Sequence, residues 1–264
     1  MNDHLNKLLE TMAHLRHPLK GCPWDIEQSF ESLTRYTIEE AYEVADTIEQ
    51  GDYEHLKEEL GDLLFQVVFY AQIADEKNLF NFYDVVEKIN TKMIHRHPHV
   101  FEKNHPKITI SEQNKAWESN KLKNKNSVLD DVPENLPGLL RAVKLAKRAA
   151  VIGFDWPNIE PVFEKMQEEL QELKEAIKSG DQNSIKDELG DVLFVCTNLA
   201  RNLNVDPELA MRHANTKFEN RFRDVEKLAK SEHPQLLSYD LDYLDRLWNE
   251  VKKKNRKLKQ QNET

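Results

Sequence analysis

Four carboxylates spaced so that they could meet are the first feature of this chain with chemical content. Glu40 and Glu43 lie three residues apart, as do Glu59 and Asp62, and Gly51-Asp52 sits between the two pairs. Residues three apart share a helix face. Gly51 suits the position just past a helix end and Asp52 the N-cap of the next helix, so the spacing predicts an antiparallel helical hairpin. Counted from Gly51, Glu43 and Glu59 are each 8 residues away, and Glu40 and Asp62 each 11. At a rise of about 1.5 Å per residue the two pairs stand level, roughly 12–16 Å from the turn. The four acids are expected to face one another across one seam, with Glu39 beside them.

Such a group needs protons or a cation, because two unit charges about 4 Å apart repel by roughly 4 kcal/mol at an effective dielectric near 20. A donor set made only of carboxylate oxygens suits a hard divalent ion, Mg²⁺ or Mn²⁺, rather than zinc or copper. A single Glu-x-x-Glu on a charged helix is more often a solvated face than a site. Here the pattern recurs. Glu168-Glu169-x-x-Glu172, a turn at Gly180-Asp181 and Glu188-Leu-Gly-Asp191 repeat it, with an offset of 129 residues for Glu43/Glu172, Glu59/Glu188 and Asp62/Asp191. Asn90-Thr-Lys92 with Arg96 answers Asn215-Thr-Lys217 with Arg221, and Gly21-Cys-Pro-Trp24 loosely answers Gly153-Phe-Asp-Trp156. A repeat of this length is one supersecondary unit used twice.

The elements that must position these residues are helices throughout. Apolar residues recur at helical spacing over 3–15, 30–50, 53–75, 82–97, 139–151, 160–179, 182–203, 207–230 and 239–254, with no alternating strand pattern. The fold class expected is all-α: two tandem helical domains, 1–104 and 138–264, joined by a polar Lys/Asn-rich linker, 105–137, with a short helix around Trp117. Leu56, Leu60, Leu63, Leu64, Val67, Val68 and Ala71 give the second hairpin helix a broad apolar face made for burial. Gly61 and Gly190 interrupt their helices at a cost of about 1 kcal/mol each relative to Ala, which predicts close backbone approach there by another helix, the first reading, or by a ligand. The Lys-rich C-terminal end is expected to fray.

Composition excludes several classes. The 264 residues carry a net charge of −10 and a pI near 5.5, which argues against a general nucleic-acid binder. The longest uncharged apolar run, Leu63 to Ala74, is too short to span a bilayer, and the polar N-terminus lacks a secretory core. Two cysteines, Cys22 and Cys196, at non-equivalent places fit a reducing cytoplasm without a disulfide framework or zinc site. His95, His97 and His99 straddle Pro98 and share no helix face, so they read as structural. Trp24 reads first as a loop anchor, with a lid on a nucleotide base as the alternative.

In each half a carboxylate hairpin is followed by a helix with Lys and Arg one turn apart, and a divalent metal with Lys/Arg clamps is equipment for polyphosphate chemistry. Phosphate-binding loops of the Gly-x-x-x-x-Gly-Lys type, Gly-x-Gly-x-x-Gly fingerprints, His-Glu-x-x-His and Gly-x-Ser-x-Gly motifs are absent. A di-iron bundle would want Glu-x-x-His, which these hairpins lack.

The Glu-Glu-x-x-Glu…Glu-x-x-Asp hairpins at 39–62 and 168–191 resemble those of the MazG nucleoside triphosphate pyrophosphohydrolases. So do Gly-Cys-Pro-Trp-Asp at 21–25, His-Arg-His-Pro-His-Val-Phe at 95–101, Gly-Phe-Asp-Trp at 153–156 and Lys-Phe-Glu-x-Arg-Phe at 217–222. The resemblance implies Mg²⁺-dependent cleavage of (d)NTPs to nucleoside monophosphate and pyrophosphate, with Mn²⁺ a possible substitute, a homodimer, and a housekeeping role in nucleotide pools. It makes Glu169, Glu172, Glu188 and Asp191 metal ligands, Glu168 the residue that orients water, and Lys217, Arg221 and Trp248 nucleotide contacts. In the first half Glu40, Glu43, Glu59 and Asp62 take the metal places, Glu39 the catalytic one, and Lys92 and Arg96 the clamp; nothing there answers Trp248. By the same resemblance the second half is the main catalytic one.

Overall fold

The computed structural model describes residues 3–102, 106, 108–110, 112, 113, 126–234 and 238–262. Trp117 and the helix expected around it lie outside the described residues. Eleven helices and no strand are found among the described residues. They fall into two compact units, Met1–Thr109 and Ile110–Thr264, and no described helix is long and apolar enough to cross a membrane.

The first unit contains α1 (Asp3–Leu15), α2 (Pro23–Glu27), α3 (Phe30–Gln50), α4 (Tyr53–Glu76), α5 (Phe82–Arg96) and α6 (Pro98–Phe101). Its centre is the α3–α4 hairpin. Gly51 turns the chain at φ +72°, its N–H bonding to Ile48 O at 3.1 Å while Asp52 N–H reaches Thr47 O at 3.0 Å. This is the paired closure that uses up the orphan carbonyls of a helix end. The Asp52 carboxylate then accepts from His55 N–H and caps α4. At the other end Ser29 caps α3 through a reciprocal bond with Ser32.

The core of this unit lies away from the turn. Leu33 and Phe69, each 18 residues from Gly51, are buried with Met12 of α1, Val68, Ala71, Ile73 and Phe82. Arg16 fastens the periphery: its guanidinium pairs with Glu76 at 2.8 and 2.7 Å and also donates to the carbonyls of Asp25 and Gln28. Trp24, on the short helix α2, meets Phe69 and Tyr36 edge to face, at 6.4 and 5.7 Å between ring centres.

The second unit contains α7 (Gly138–Val151), α8 (Glu160–Ser179), α9 (Gln182–Asn202), α10 (Pro207–Glu232) and α11 (Leu241–Asn262). The α8–α9 hairpin turns at Gly180, φ +75°, with Asp181 capping α9 through Asn183 and Ser184 N–H. Helix α7 packs on α9, and α10 pairs with α11 around Val225, Ala229, Leu247 and Val251. Arg201 holds Asp155, next to Trp156, much as Arg16 holds the end of α2 after Trp24.

Three expectations are corrected. A Cβ placed at Gly61 or Gly190 would meet no atom within 4 Å, so neither glycine marks close packing within the chain. The apolar face of α4 is buried only toward its C-terminal end: Val68 and Ala71 are inside, whereas Leu60, Leu64 and Val67 stay exposed. Burial follows the partners available, and α1 and α5 cover only the core end of the hairpin. Helix α11 runs on to Asn262 through the Lys-rich stretch expected to fray, a segment of Lys, Arg, Leu and Gln with good helix propensity.

These glycines predict opposite signs on substitution. Gly61→Ala and Gly190→Ala should each stabilise the protein by about 1 kcal/mol, because the helix interior gains a better former without a clash. Gly51→Ala and Gly180→Ala should each destabilise by about 1 kcal/mol, because a Cβ disfavours the left-handed conformation. Urea denaturation midpoints compare the four variants directly.

Candidate active site

The hairpin register brings three of the expected carboxylates together in each unit. One oxygen from each of Glu40, Glu43 and Glu59 lies within 4.8 Å of the other two, and the same holds for Glu169, Glu172 and Glu188. Asp62 and Asp191 fall outside these tight groups, one helical turn beyond Glu59 and Glu188. Asp62 nevertheless acts on the first group, since its charge raises the pKa of both Glu40 and Glu59.

The first group is strained electrostatically. Glu40 is held above the usual carboxylate range by partial desolvation first, then by the charges of Asp62, Glu43, Glu59 and Glu39. Glu59 is raised for the same reasons, with Glu43 and Asp62 the main charges. Glu40, Glu43 and Glu59 form no ion pair with a Lys or Arg among the described residues.

The second group carries its own partial remedy, a residue that sequence reading missed. The Lys165 ammonium bridges Glu168 at 2.8 Å and Glu169 at 2.7 Å. Glu169 is only 4% exposed, so this ion pair neutralises a nearly buried carboxylate. Those hydrogen bonds raise the Lys165 pKa. Glu172 remains raised, by desolvation, by Glu169 and then by Glu188. The signal was legible: Lys165 stands three and four residues before Glu168 and Glu169, the spacing of helical ion pairs. At the matching place, 129 residues earlier, the first unit has Tyr36, whose ring packs against the core and whose hydroxyl meets Arg35.

Both trios offer only carboxylate oxygens, converging from two helices, and this donor set fits a hard divalent cation better than a soft one. When bound, such an ion offsets the mutual repulsion and polarises a phosphate oxygen.

The expected cations are distributed differently. In the second unit, the Arg221 guanidinium lies over the Trp248 ring at 4.7 Å. Phe218 meets the same ring at 5.3 Å and Phe222 stacks on Phe218. Lys217 and Arg221 line a cavity of about 570 Å³ between α10 and α11. No carboxylate of the α8–α9 trio lines that cavity, so acids and cations form two constellations of one unit. In the first unit Lys92 lines a shallow apolar groove with Phe80, Val85 and Ile89, and Arg96 closes α5 half-buried. His97 Nδ1 bonds to Met93 O at 2.7 Å, within its own helix end, and belongs to neither trio.

Two helical hairpins that each gather three carboxylates able to hold a metal ion define an all-α, acid-lined class of protein. The chain belongs to the MazG family: the family model described as "MazG nucleotide pyrophosphohydrolase domain" matches it twice, over residues 28–101 and 158–226. An Escherichia coli protein named nucleoside triphosphate pyrophosphohydrolase is 43% identical over 258 residues, 95% of this chain and 98% of that protein. A Thermotoga maritima protein named nucleoside triphosphate pyrophosphohydrolase/pyrophosphatase MazG is 42% identical over 246 residues, covering 93% of this chain and 94% of that one. A longer Bacillus subtilis protein, described as uncharacterized, is 41% identical over 254 residues, 93% of this chain but 51% of its own length.

Removing a charge should act oppositely in the two units when chelator keeps metal away. Lys165→Ala strips a nearly buried carboxylate of its partner and should destabilise by about 1–3 kcal/mol, with the loss narrowing as Mn²⁺ saturates the site. Glu40→Gln relieves repulsion and should raise Tm at pH 7. The sign follows from the raised pKa: the repulsion is complete above the folded-state value and fades as the acids protonate, so the gain should shrink toward pH 4. Thermal scans of the metal-free protein at both pH values check this.

Proposed function

We propose that this protein is a metal-dependent nucleoside triphosphate pyrophosphohydrolase that converts (d)NTP and water to (d)NMP and pyrophosphate. The observation that carries the reading is the closure of three carboxylates at the same register of both hairpins. The names of the full-length Escherichia coli and Thermotoga maritima relatives support the substrate class. Mg²⁺ is the proposed ion, with Mn²⁺ as a substitute, because the donors are all oxygen.

The residues divide the work as follows. Glu169, Glu172 and Glu188, with Asp191 a turn away, are the proposed ligand set of the second unit, and Glu40, Glu43, Glu59 and Asp62 that of the first. Glu168, held by Lys165, orients the attacking water and accepts its proton, and Glu39 has that place in the first unit. The water oxygen bonds to phosphorus, the bridging P–O bond between the α and β phosphates breaks, and pyrophosphate leaves. Lys217 and Arg221 hold phosphate oxygens while Trp248, already stacked on Arg221, supports the nucleotide. Lys92 and Arg96 have the corresponding role in the first unit.

The proposed domains are 1–104 and 138–264 with 105–137 between them, the second being the main catalytic one. A homodimer is proposed because Leu60, Leu64 and Val67 on α4, and Leu189, Leu193 and Phe194 on α9, leave apolar surface uncovered at helical spacing. A cytoplasmic location and the absence of a nucleic-acid partner complete the reading, in keeping with the net charge of −10.

A nucleotide panel with Mg²⁺ tests the proposal. Pyrophosphate should be released, and Glu172→Ala or Asp191→Ala should lower kcat on the order of 10²–10³-fold, the loss typical of removing a group that stabilises the transition state. Glu43→Ala reports on the first unit and should cost much less. Orthophosphate as the sole inorganic product would refute the reaction; stabilisation by Mg–NTP without turnover would identify a nucleotide-binding module instead.

A further inference from the structure

The cavity between α10 and α11 contains more positive charge than the nucleotide contacts proposed above account for. Its wall includes Lys217 and Arg221 from α10 and Lys252 and Arg256 from α11, with His213 and Asn255 at its edge. No acidic residue lines it, and none of the four Lys and Arg side chains is ion-paired with a described residue. In a chain of net charge −10, four cations without a carboxylate between them repel one another and favour an anion. The Arg221 Nε–H adds an independent sign: it is buried without an acceptor. The stack on Trp248 holds that guanidinium in place before any ligand arrives, so little side-chain freedom is lost on binding.

The cavity also has a direction. Next to it lies a smaller apolar hollow of about 240 Å³ walled by Phe218, Phe222, Leu244 and Trp248. The Arg221–Trp248 stack stands at the junction of the two. Beyond Trp248 along α11 come Lys252 and then Arg256, one helical turn apart, so the charged part of the groove extends about 12 Å from the ring. A ligand with a flat ring at the aromatic end would lay a phosphate chain along Lys252 toward Arg256. A monophosphate would end before Arg256, whereas a triphosphate would engage both.

We propose that Lys252 and Arg256 form a subsite for a condensed phosphate chain and make the second unit select nucleoside triphosphates over monophosphates. This rests on the pyrophosphohydrolase reading for its substrate, but the anion site stands on its own geometry. The described residues of the first unit contain no helix answering α11, so this selection belongs to the second unit alone. Both side chains reach the cavity from the outer surface of a helix whose buried residues are Leu247 and Val251, so neutral substitutions leave the core intact.

The test uses the full chain and measures binding and turnover separately. Calorimetry with inorganic tripolyphosphate, without metal and at fixed ionic strength, should show binding to the wild type that K252Q/R256Q weakens at least about tenfold, as expected for losing charge-assisted hydrogen bonds. Arg256→Lys should keep part of the affinity. With dNTP substrate the double variant should raise KM about tenfold more than it lowers kcat, and Arg256→Gln alone should raise the KM for dNTP while inhibition by a nucleoside monophosphate changes little. Equal tripolyphosphate binding by wild type and double variant, or equal losses for triphosphate and monophosphate, would overturn the subsite. If tripolyphosphate binding behaves as expected but the wild type releases no pyrophosphate from any dNTP, the subsite stands and the proposed reaction falls.

Discussion

Repulsion between carboxylates that cannot move apart is the constraint on which both units turn. Each hairpin is fastened at its turn by a left-handed glycine and an aspartate cap, at Gly51-Asp52 and Gly180-Asp181. In the first unit the opposite end is clamped by Leu33 and Phe69, buried at matched distances from the turn. Between these fixed ends the seam has no freedom to splay, and Glu40, Glu43 and Glu59 must share a few ångströms of space. Hydrophobic packing and capping thus supply the energy that keeps like charges together, and the site stores it as raised carboxylate pKa values.

The two copies resolve that tension unequally. In the second unit Lys165 supplies an internal cation to Glu168 and Glu169; in the first, the same helical position is Tyr36, which packs against the core. Among the described residues only the second unit has α11, and with it Trp248 and a cavity whose cations form no ion pair with a described residue. The acidic geometry is thus the same in both units while its surroundings differ. The same hairpin frame serves two environments because its register depends on backbone turns and caps rather than on the residues beside the seam.

Amphipathic periodicity announces that a helix face will be covered but not by what. Leu60, Leu64 and Val67 carry the same pattern as Val68 and Ala71, yet only the latter meet α1 and α5. The glycines at 61 and 190 make a related point: their presence mid-helix suggested a close neighbour, and the space beside them is open. Periodicity and composition describe what one helix offers, whereas burial is a property of the pair.

The sequence by itself determined the helical class, the two-fold use of the hairpin and the level placement of its acids. Those depend on intervals of three, eight and eleven residues, which a helix of fixed rise converts into distance without tertiary information. The Lys165 pair was within reach of the same local rule. Tertiary structure decided that Asp62 and Asp191 stand outside the tightest groups, that Arg221 stacks on Trp248, and that Lys252 and Arg256 share a cavity with Lys217. Each of those is a relation between helices whose crossing is set by packing of side chains many residues apart, and no interval along the chain encodes it.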